Sequence, residues 1–124
     1  MTTKRFEVGL AVRRKVLGNE YVDKSMAEMD DFTQPFQELV NEYCWGTVWT
    51  RPGLPLKTRS LINLGILIAM NKPEELKLHL RGALNNGCTK AEIMEVLLHT
   101  AIYCGMPAAV TAFRTAKDFF KESE

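Results

Sequence analysis

One long apolar segment constrains the fold of this sequence more than any other feature. Residues 61–70 read LINLGILIAM, and a helix from Thr58 to Met70 is apolar on nearly all of its sides, as is typical of a buried helix. The run is only half as long as the ~20 residues that a helix needs to span a bilayer. We therefore interpret it as a helix in the middle of the fold and expect no contact with a membrane.

The elements that cover this helix are also predicted to be helices, because apolar residues recur at helical spacing and no useful strand-like alternation occurs. The predicted helical segments are 5–17, 33–45, 58–70, 73–87, 89–104 and one that begins at Pro107. Thr33 is the expected N-cap of the second segment, and Thr89 and Glu92 have the spacing of a capping box for the fifth. Residues 19–32 are polar and weakly periodic, which predicts a connection with a short helical turn. The sequence thus predicts a single all-α domain, residues 1–124, of about six helices.

Residues 45–60, WGTVWTRPGLPLKTRS, are predicted to form a loop. Arg51 directly precedes Pro52, and because proline lacks an amide hydrogen and restricts its predecessor, regular helix should not continue through this point. The segment is both aromatic and cationic, and tryptophans in a loop need a surface to pack on. Two interpretations are open: the loop packs over the core or a subunit interface, or it faces a ligand.

Charge and cysteine content argue against several classes of function. The chain has 16 basic and 15 acidic residues and a formal net charge of +1, without the basic excess of a nucleic-acid-binding protein. Its first residues, MTTKRFEVGL, lack the pattern of a secretory signal. Cys44, Cys88 and Cys104 fit neither a disulfide framework nor a CxxC pair. We expect a cytoplasmic protein with no nucleic-acid partner, whose cysteines are small buried residues.

Both histidines of the chain follow a glutamate by one helical turn. Glu75 precedes His79 at the edge of an apolar stripe, and Glu95 precedes His99, with Tyr103 one turn further on. A hydrogen bond from such a pair would raise the imidazole pKa, so that the ring holds and gives a proton near neutral pH. The alternative is a purely structural pair on a boundary face.

The two helices that carry the histidines are linked by a short turn. We expect them to pack antiparallel with their polar flanks bordering one cleft, the alternative being a solvated face without a site. His79 and His99 lie on different helices without HxxxH or ExxH spacing, which argues against a metal site. No phosphate-binding loop, GxSxG turn or paired-cysteine motif is present, so covalent catalysis is not indicated.

Three blocks of the sequence together resemble a known family. YCWGTVWTRPGLPLKTRS, EELKLHLRGALNNG and EIMEVLLHTAIYCGMPAA are similar to successive blocks of the 4-carboxymuconolactone decarboxylase family, and VRRKVLG resembles its opening helix. The resemblance is colinear from about Gly9 to Phe113. It implies the all-helical fold of the superfamily that includes the alkylhydroperoxidase AhpD, with a central antiparallel helical hairpin. It also implies assembly into homo-oligomers, as trimers or hexamers.

The sequence departs from the peroxidase branch of that superfamily at the catalytic thiols. His79 matches the histidine that follows the peroxidase CxxC motif, but Lys72 and Glu75 stand at the two cysteine positions. The glutamate upstream of that motif falls near Arg59 and Ser60 here. We therefore do not expect thiol redox chemistry. The remaining alternatives are a related lactone-processing enzyme with another substrate and a non-catalytic helical oligomer.

The reaction that the resemblance implies is the decarboxylation of 4-carboxymuconolactone to 3-oxoadipate enol-lactone, without cofactor or metal. Loss of CO2 moves electrons through the ring alkene toward the lactone carbonyl, so the enzyme must stabilise a dienolate and then protonate carbon. The substrate is a small dicarboxylate lactone, and carboxylates suit bidentate arginine.

Roles for particular residues follow from this implied reaction as a hypothesis. The roles are carboxylate binding for Arg51 and Arg59, proton donation for His79 with Glu75, oxyanion stabilisation for His99 with Tyr103, and exclusion of water for Trp45 and Trp49. The roles of the two histidines are interchangeable in this hypothesis.

Overall fold

The computed structural model describes residues 2–123, and all regular secondary structure within them is helical. The elements are α1 (Lys4–Leu17), α2 (Asn19–Ala27), α3 (Gln34–Leu39), a π-helical segment (Val40–Val48), α4 (Leu56–Ala69), α5 (Pro73–Asn85), α6 (Lys90–Cys104) and α7 (Met106–Glu122). The prediction of an all-α fold is confirmed, with seven α-helices in the described part rather than about six. The helices group into two compact units, residues 1–55 and 56–124.

In the first unit, α1 packs along the π-helical segment. Two glycines permit this close approach of backbones. A Cβ added at Gly9 would collide with the carbonyl oxygen of Asn41, and one added at Gly46 would lie 2.5 Å from the carbonyl oxygen of Arg5. A side chain at either position would therefore force the two helices apart.

Two predictions for the first unit are wrong in extent. The connection predicted at 19–32 contains a complete helix, α2, because Gly18 (φ 93°) reverses the chain and Val22 is fully buried. The loop predicted at 45–60 is shorter, since the π-helical segment runs to Val48 and α4 already begins at Leu56. Trp45 consequently lies in a helix. The prolines exclude helix only near themselves, and packing on α1 holds the residues before them in helical form.

The predicted cap at Thr33 is also only partly right. Thr33 occupies the N-cap position of α3, but its side chain makes no capping bond to that helix. Its hydroxyl instead accepts a hydrogen bond from the Asp30 backbone N–H at 3.0 Å, while the Asp30 carboxylate accepts one from the Thr33 N–H at 2.9 Å. These reciprocal bonds hold the turn that precedes α3.

In the second unit, α4, α5, α6 and α7 form a four-helix bundle. The shared core is contributed by every helix and consists of Leu64, Ile68, Leu76, Leu80, Ala83, Cys88, Ile93, Leu97, Ala112, Ala116 and Phe119. α4 contacts all three other helices of the bundle, as expected of a central element. It is not buried all round, however, because Ile62 and Ile66 on its other face are about half exposed.

The prediction that α5 and α6 pack on each other is wrong. Each of them packs instead against α4 and α7, so the two lie diagonally across the bundle, and α4 and α5 form the central hairpin. The turn after α5 explains this path. Asn86 donates to the Ser60 hydroxyl at 2.9 Å, and the buried thiol of Cys88 lies 3.6 Å from the Lys57 carbonyl oxygen. These contacts draw the chain across the start of α4.

Local signals within this unit are confirmed. The Thr89 hydroxyl accepts from the Glu92 N–H at 3.0 Å and the Glu92 carboxylate accepts from the Thr89 N–H at 2.9 Å, which is the predicted capping box. Pro73 opens α5, and Gly105 ends α6 with φ 98°. No helix between residues 2 and 123 has both the length and the hydropathy required to cross a membrane.

Candidate active site

The clearest candidate site of the second unit is formed by one histidine and one amide. His79 of α5 is half-buried, and its Nδ1 lies 3.2 Å from the side-chain nitrogen of Asn63 on α4. The same nitrogen lies 3.5 Å from Nε2. Because an amide nitrogen only donates, the neutral ring accepts this bond through its unprotonated nitrogen. Asn63 therefore helps to hold the imidazole in place.

Sequence reasoning missed Asn63, although a signal for it exists. It is the one residue with a polar side chain in the run LINLGILIAM. A buried amide requires hydrogen-bond partners, so an asparagine in an otherwise apolar helix points to a specific polar contact.

Burial controls the protonation of His79. Desolvation of the imidazole lowers its pKa from 6.5 to about 4, and the opposing influence of Glu75, which raises it, is weaker. The prediction that Glu75 brings the pKa toward neutrality is thus wrong in its net direction. Glu75 is exposed, so water screens its charge, whereas the ring is largely withdrawn from water. His79 of the free protein is therefore neutral at pH 7.

Arg59 lies on the same side of α4 as Asn63, one helical turn earlier, and is half-buried. A cation at this position adds positive charge to the side of α4 that meets His79. Arg51 belongs to the other unit, where it is exposed in the segment between the π-helical segment and α4.

His99 and Tyr103 are brought together on α6. Their ring centroids on α6 are 4.9 Å apart, and both side chains are exposed. His99 lines a groove of about 580 Å³ between α4 and α6, together with residues such as Leu61, Gly65 and Glu95. His79 does not line this groove. This groove therefore does not bring the two histidines together.

The two tryptophans stack on each other in the first unit. The ring centroids of Trp45 and Trp49 are 4.6 Å apart with an interplanar angle of 23°, and both side chains are buried. Two interpretations were open for residues 45–60, and the buried rings agree with the one in which the segment packs on the protein rather than facing a ligand. Contact of these rings with a substrate stays a prediction.

Among residues 2–123, no three side chains of His, Cys, Asp or Glu come together in an arrangement that could hold a metal ion. Cys44 and Cys104 are exposed rather than buried as predicted, while Cys88 is buried.

The class is that of an all-α protein whose four-helix bundle holds a half-buried histidine, bonded by an amide, between two of its helices. Comparison with known sequences identifies the family. The sequence profile described as "Carboxymuconolactone decarboxylase family" matches residues 34–118. The chain belongs to this family.

Two curated relatives cover nearly the whole chain. The chain is 44% identical over 119 residues to 4-carboxymuconolactone decarboxylase of Acinetobacter baylyi, covering 96% of this chain and 89% of the relative. It is 47% identical over 123 residues to nitrosuccinic acid decarboxylase of Metarhizium robertsii, covering 96% and 86%. A 4-carboxymuconolactone decarboxylase of Pseudomonas putida is 37% identical over 43 residues, which is 35% of this chain and 90% of that relative. All three relatives are named as decarboxylases. Two of the names give 4-carboxymuconolactone as the substrate, and the third gives nitrosuccinic acid.

Proposed function

We propose that this chain is a decarboxylase that needs no cofactor and acts on a small acid with at least two carboxylates. Our preferred substrate is 4-carboxymuconolactone, and the product is then 3-oxoadipate enol-lactone. The relatives from Acinetobacter and Pseudomonas support this choice by their names. The observation that carries the proposal is the neutral imidazole of His79, held by Asn63 on the side of α4 that also carries Arg59.

The chemistry sets three demands on the site. Loss of CO2 breaks the bond between the ring carbon and the carboxylate carbon, and the electron pair stays in the ring, delocalised onto the lactone carbonyl oxygen as a dienolate. One proton added to carbon completes the reaction. The site must therefore bind carboxylates, stabilise an oxyanion and deliver a proton.

His79 is suited to the proton transfer because its protonation responds to the substrate. Before substrate binds the ring is neutral, since burial lowers its pKa to about 4. A bound dianion next to the half-buried ring favours the charged form, so the ring gains a proton from water as the substrate binds. The imidazolium then donates this proton to the dienolate carbon, and Glu75 adds a smaller attraction for the charged ring. Arg59 and Arg51 bind the carboxylates.

We assign His99 and Tyr103 to oxyanion stabilisation and Trp45 and Trp49 to exclusion of water, as the resemblance implies. Because His79 does not line the groove that contains His99, we propose that α6 of a second copy supplies His99 and Tyr103 to the site of His79. We accordingly propose that the protein works as a homo-oligomer, a trimer or hexamer, in the cytoplasm. The exposed apolar side chains of Ile102 and Met106 support an assembled state.

A second candidate substrate is nitrosuccinic acid. The relative that bears this name is as similar to the chain as the lactone-specific one. Loss of CO2 from the carbon that carries the nitro group leaves a nitronate, which also needs anion stabilisation and then a proton on carbon. The same residues serve both reactions.

The substrate is tested by turnover of each acid by the purified protein. We expect CO2 release and a higher kcat/KM for the lactone. His79→Gln should lower kcat by about 10²- to 10⁴-fold, the usual contribution of a positioned acid. Arg59→Gln should mainly raise KM, whereas its control Arg81→Gln, an exposed arginine bonded to Ser123, should leave both constants unchanged.

A result opposite to any of these expectations contradicts one part of the proposal. Turnover of neither acid contradicts the decarboxylase proposal, and turnover of nitrosuccinic acid alone contradicts the lactone assignment. Full turnover by the His79 variant contradicts only the role of that residue.

A further inference from the structure

A large groove of the second unit lies between α6 and α7, and His79 does not line it. It has a volume of about 960 Å³. Its floor is apolar and includes Ile93, Leu97 and Ala116, with Met94 and Phe113 partly exposed above them. The proposed decarboxylation uses none of these residues.

The rim of this groove is uniformly basic. Four cations line it, namely Lys90, Arg114, Lys117 and Lys121, and all of them are exposed. The Lys90 ammonium lies 4.9 Å from the centroid of the Phe120 ring at one end. None of the described residues that line the groove is acidic. The groove thus suits an occupant that is both apolar and negatively charged.

The first unit presents a segment of that chemistry, residues 28–39, which we call the acidic segment. Its apolar side chains are unusually exposed, 91% for Phe32, 63% for Phe36 and 55% for Leu39. Its carboxylates are those of Glu28, Asp30, Asp31 and Glu38. An aromatic side chain so fully in water is a typical sign of an interaction surface.

The acidic segment is also held in shape before any contact. The reciprocal hydrogen bonds of Asp30 and Thr33 fix its turn, and Gln34 bonds to Glu38 at 3.2 Å along α3. A segment that is already ordered loses less conformational entropy when it binds.

We propose that the acidic segment of one copy of this chain docks into the α6–α7 groove of a second copy. Phe32 and Phe36 cover the apolar floor, and the four carboxylates face the four cations of the rim. The two surfaces are different, so the contact is heterologous and closes into a ring when the rotation between copies permits. The groove is open and close to the upper size of small-molecule sites, which favours a protein segment over a small acid. The proposal does not depend on the catalytic activity.

Charge reversal tests the docking through the molar mass in solution. The wild type should sediment as an assembly well above the 14.1 kDa of one chain. Arg114→Glu with Lys117→Glu, or Glu28→Lys with Asp31→Lys, should raise the concentration for half-assembly by about tenfold or more, because like charges then face each other. All four substitutions in one chain should restore assembly. The control Lys15→Glu changes an exposed lysine of α1 and should have no effect.

Carbodiimide cross-linking of a mixture of ¹⁴N- and ¹⁵N-labelled protein locates the contact. We expect mixed-isotope peptides that join residues 28–38 to Lys90, Lys117 or Lys121. A wild type that stays monomeric overturns the proposal, as do charge-reversed variants with unchanged helical circular dichroism that assemble normally. Cross-links found only within single chains, or binding of decanoate in the groove of a monomer, overturn it as well.

Discussion

At the scale of residues, the contact between Asn63 and His79 is the basis of the proposed proton transfer. The position of His79 at the edge of the core could be predicted from helical periodicity, because neighbours on a helix face are fixed by local geometry. The direction of its pKa shift could not be predicted, because the shift comes from burial by other helices. The presence of Glu75 one helical turn before His79 does not reveal that burial. Contact with Asn63 likewise depends on how α4 meets α5.

Stability should follow the titration of His79. The folded pKa is about 4, below the ordinary 6.5, so below pH 6.5 the unfolded chain takes up a proton that the folded chain resists. The free energy of unfolding is expected to fall between pH 6.5 and 4 through this residue and not to change further below pH 4. Urea titrations of the wild type and His79→Gln at several pH values check this. An equal pH dependence in both proteins would show that His79 titrates normally.

A carboxylate in place of the amide should reverse the shift. In Asn63→Asp a carboxylate oxygen replaces the amide nitrogen, which lies 3.2 Å from Nδ1 of His79. A negative charge at that position favours the imidazolium. The pKa of His79, followed by NMR of the ring protons, is expected to rise relative to wild type. Asn63→Leu, which is similar in size but uncharged, is the control and should show no rise. A pKa unchanged in the aspartate variant contradicts the assigned contact.

At the scale of elements, the sequence predicts best what is decided within one turn of helix. Pro73, the capping box of Thr89 and Glu92, and Gly105 all act through local backbone geometry, and the ends of α5 and α6 follow from them. The sequence did not predict the full length of α2 or the extension of the π-helical segment to Val48, because packing on α1 holds both in helical form. The diagonal placement of α5 and α6 was missed because the turn between them is tied to α4 by side chains.

The packing of α1 on the π-helical segment can be tested at a glycine. Gly9→Ala should place a methyl group against the carbonyl oxygen of Asn41 and destabilise the fold by about 1–3 kcal/mol, the usual cost of overpacking. Gly53→Ala, with nothing within 4 Å of an added Cβ, should change stability little. Thermal and urea unfolding measure both. Equal stability of the two variants would contradict the close approach described for this unit.

At the scale of the whole molecule, the family could be recognised from the sequence because its blocks are colinear along the chain, and the profile match at residues 34–118 confirms that recognition. The substrate could not be fixed in the same way. Two relatives with nearly equal identity are named for different acids, and the chemical demands of both acids are met by the same kinds of side chain. The choice between the two acids depends on contacts within the substrate pocket, which a shared fold does not determine.

We propose that the chain decarboxylates a small polycarboxylate without a cofactor and protonates carbon through His79. The most direct measurement is to incubate protein dialysed against a chelator with carboxyl-¹³C-labelled 4-carboxymuconolactone in D₂O. We predict ¹³CO₂ release matched by one deuterium on product carbon, both lost in parallel in His79→Gln. Release that requires an added metal or cofactor, or that continues undiminished in the variant, would contradict the account.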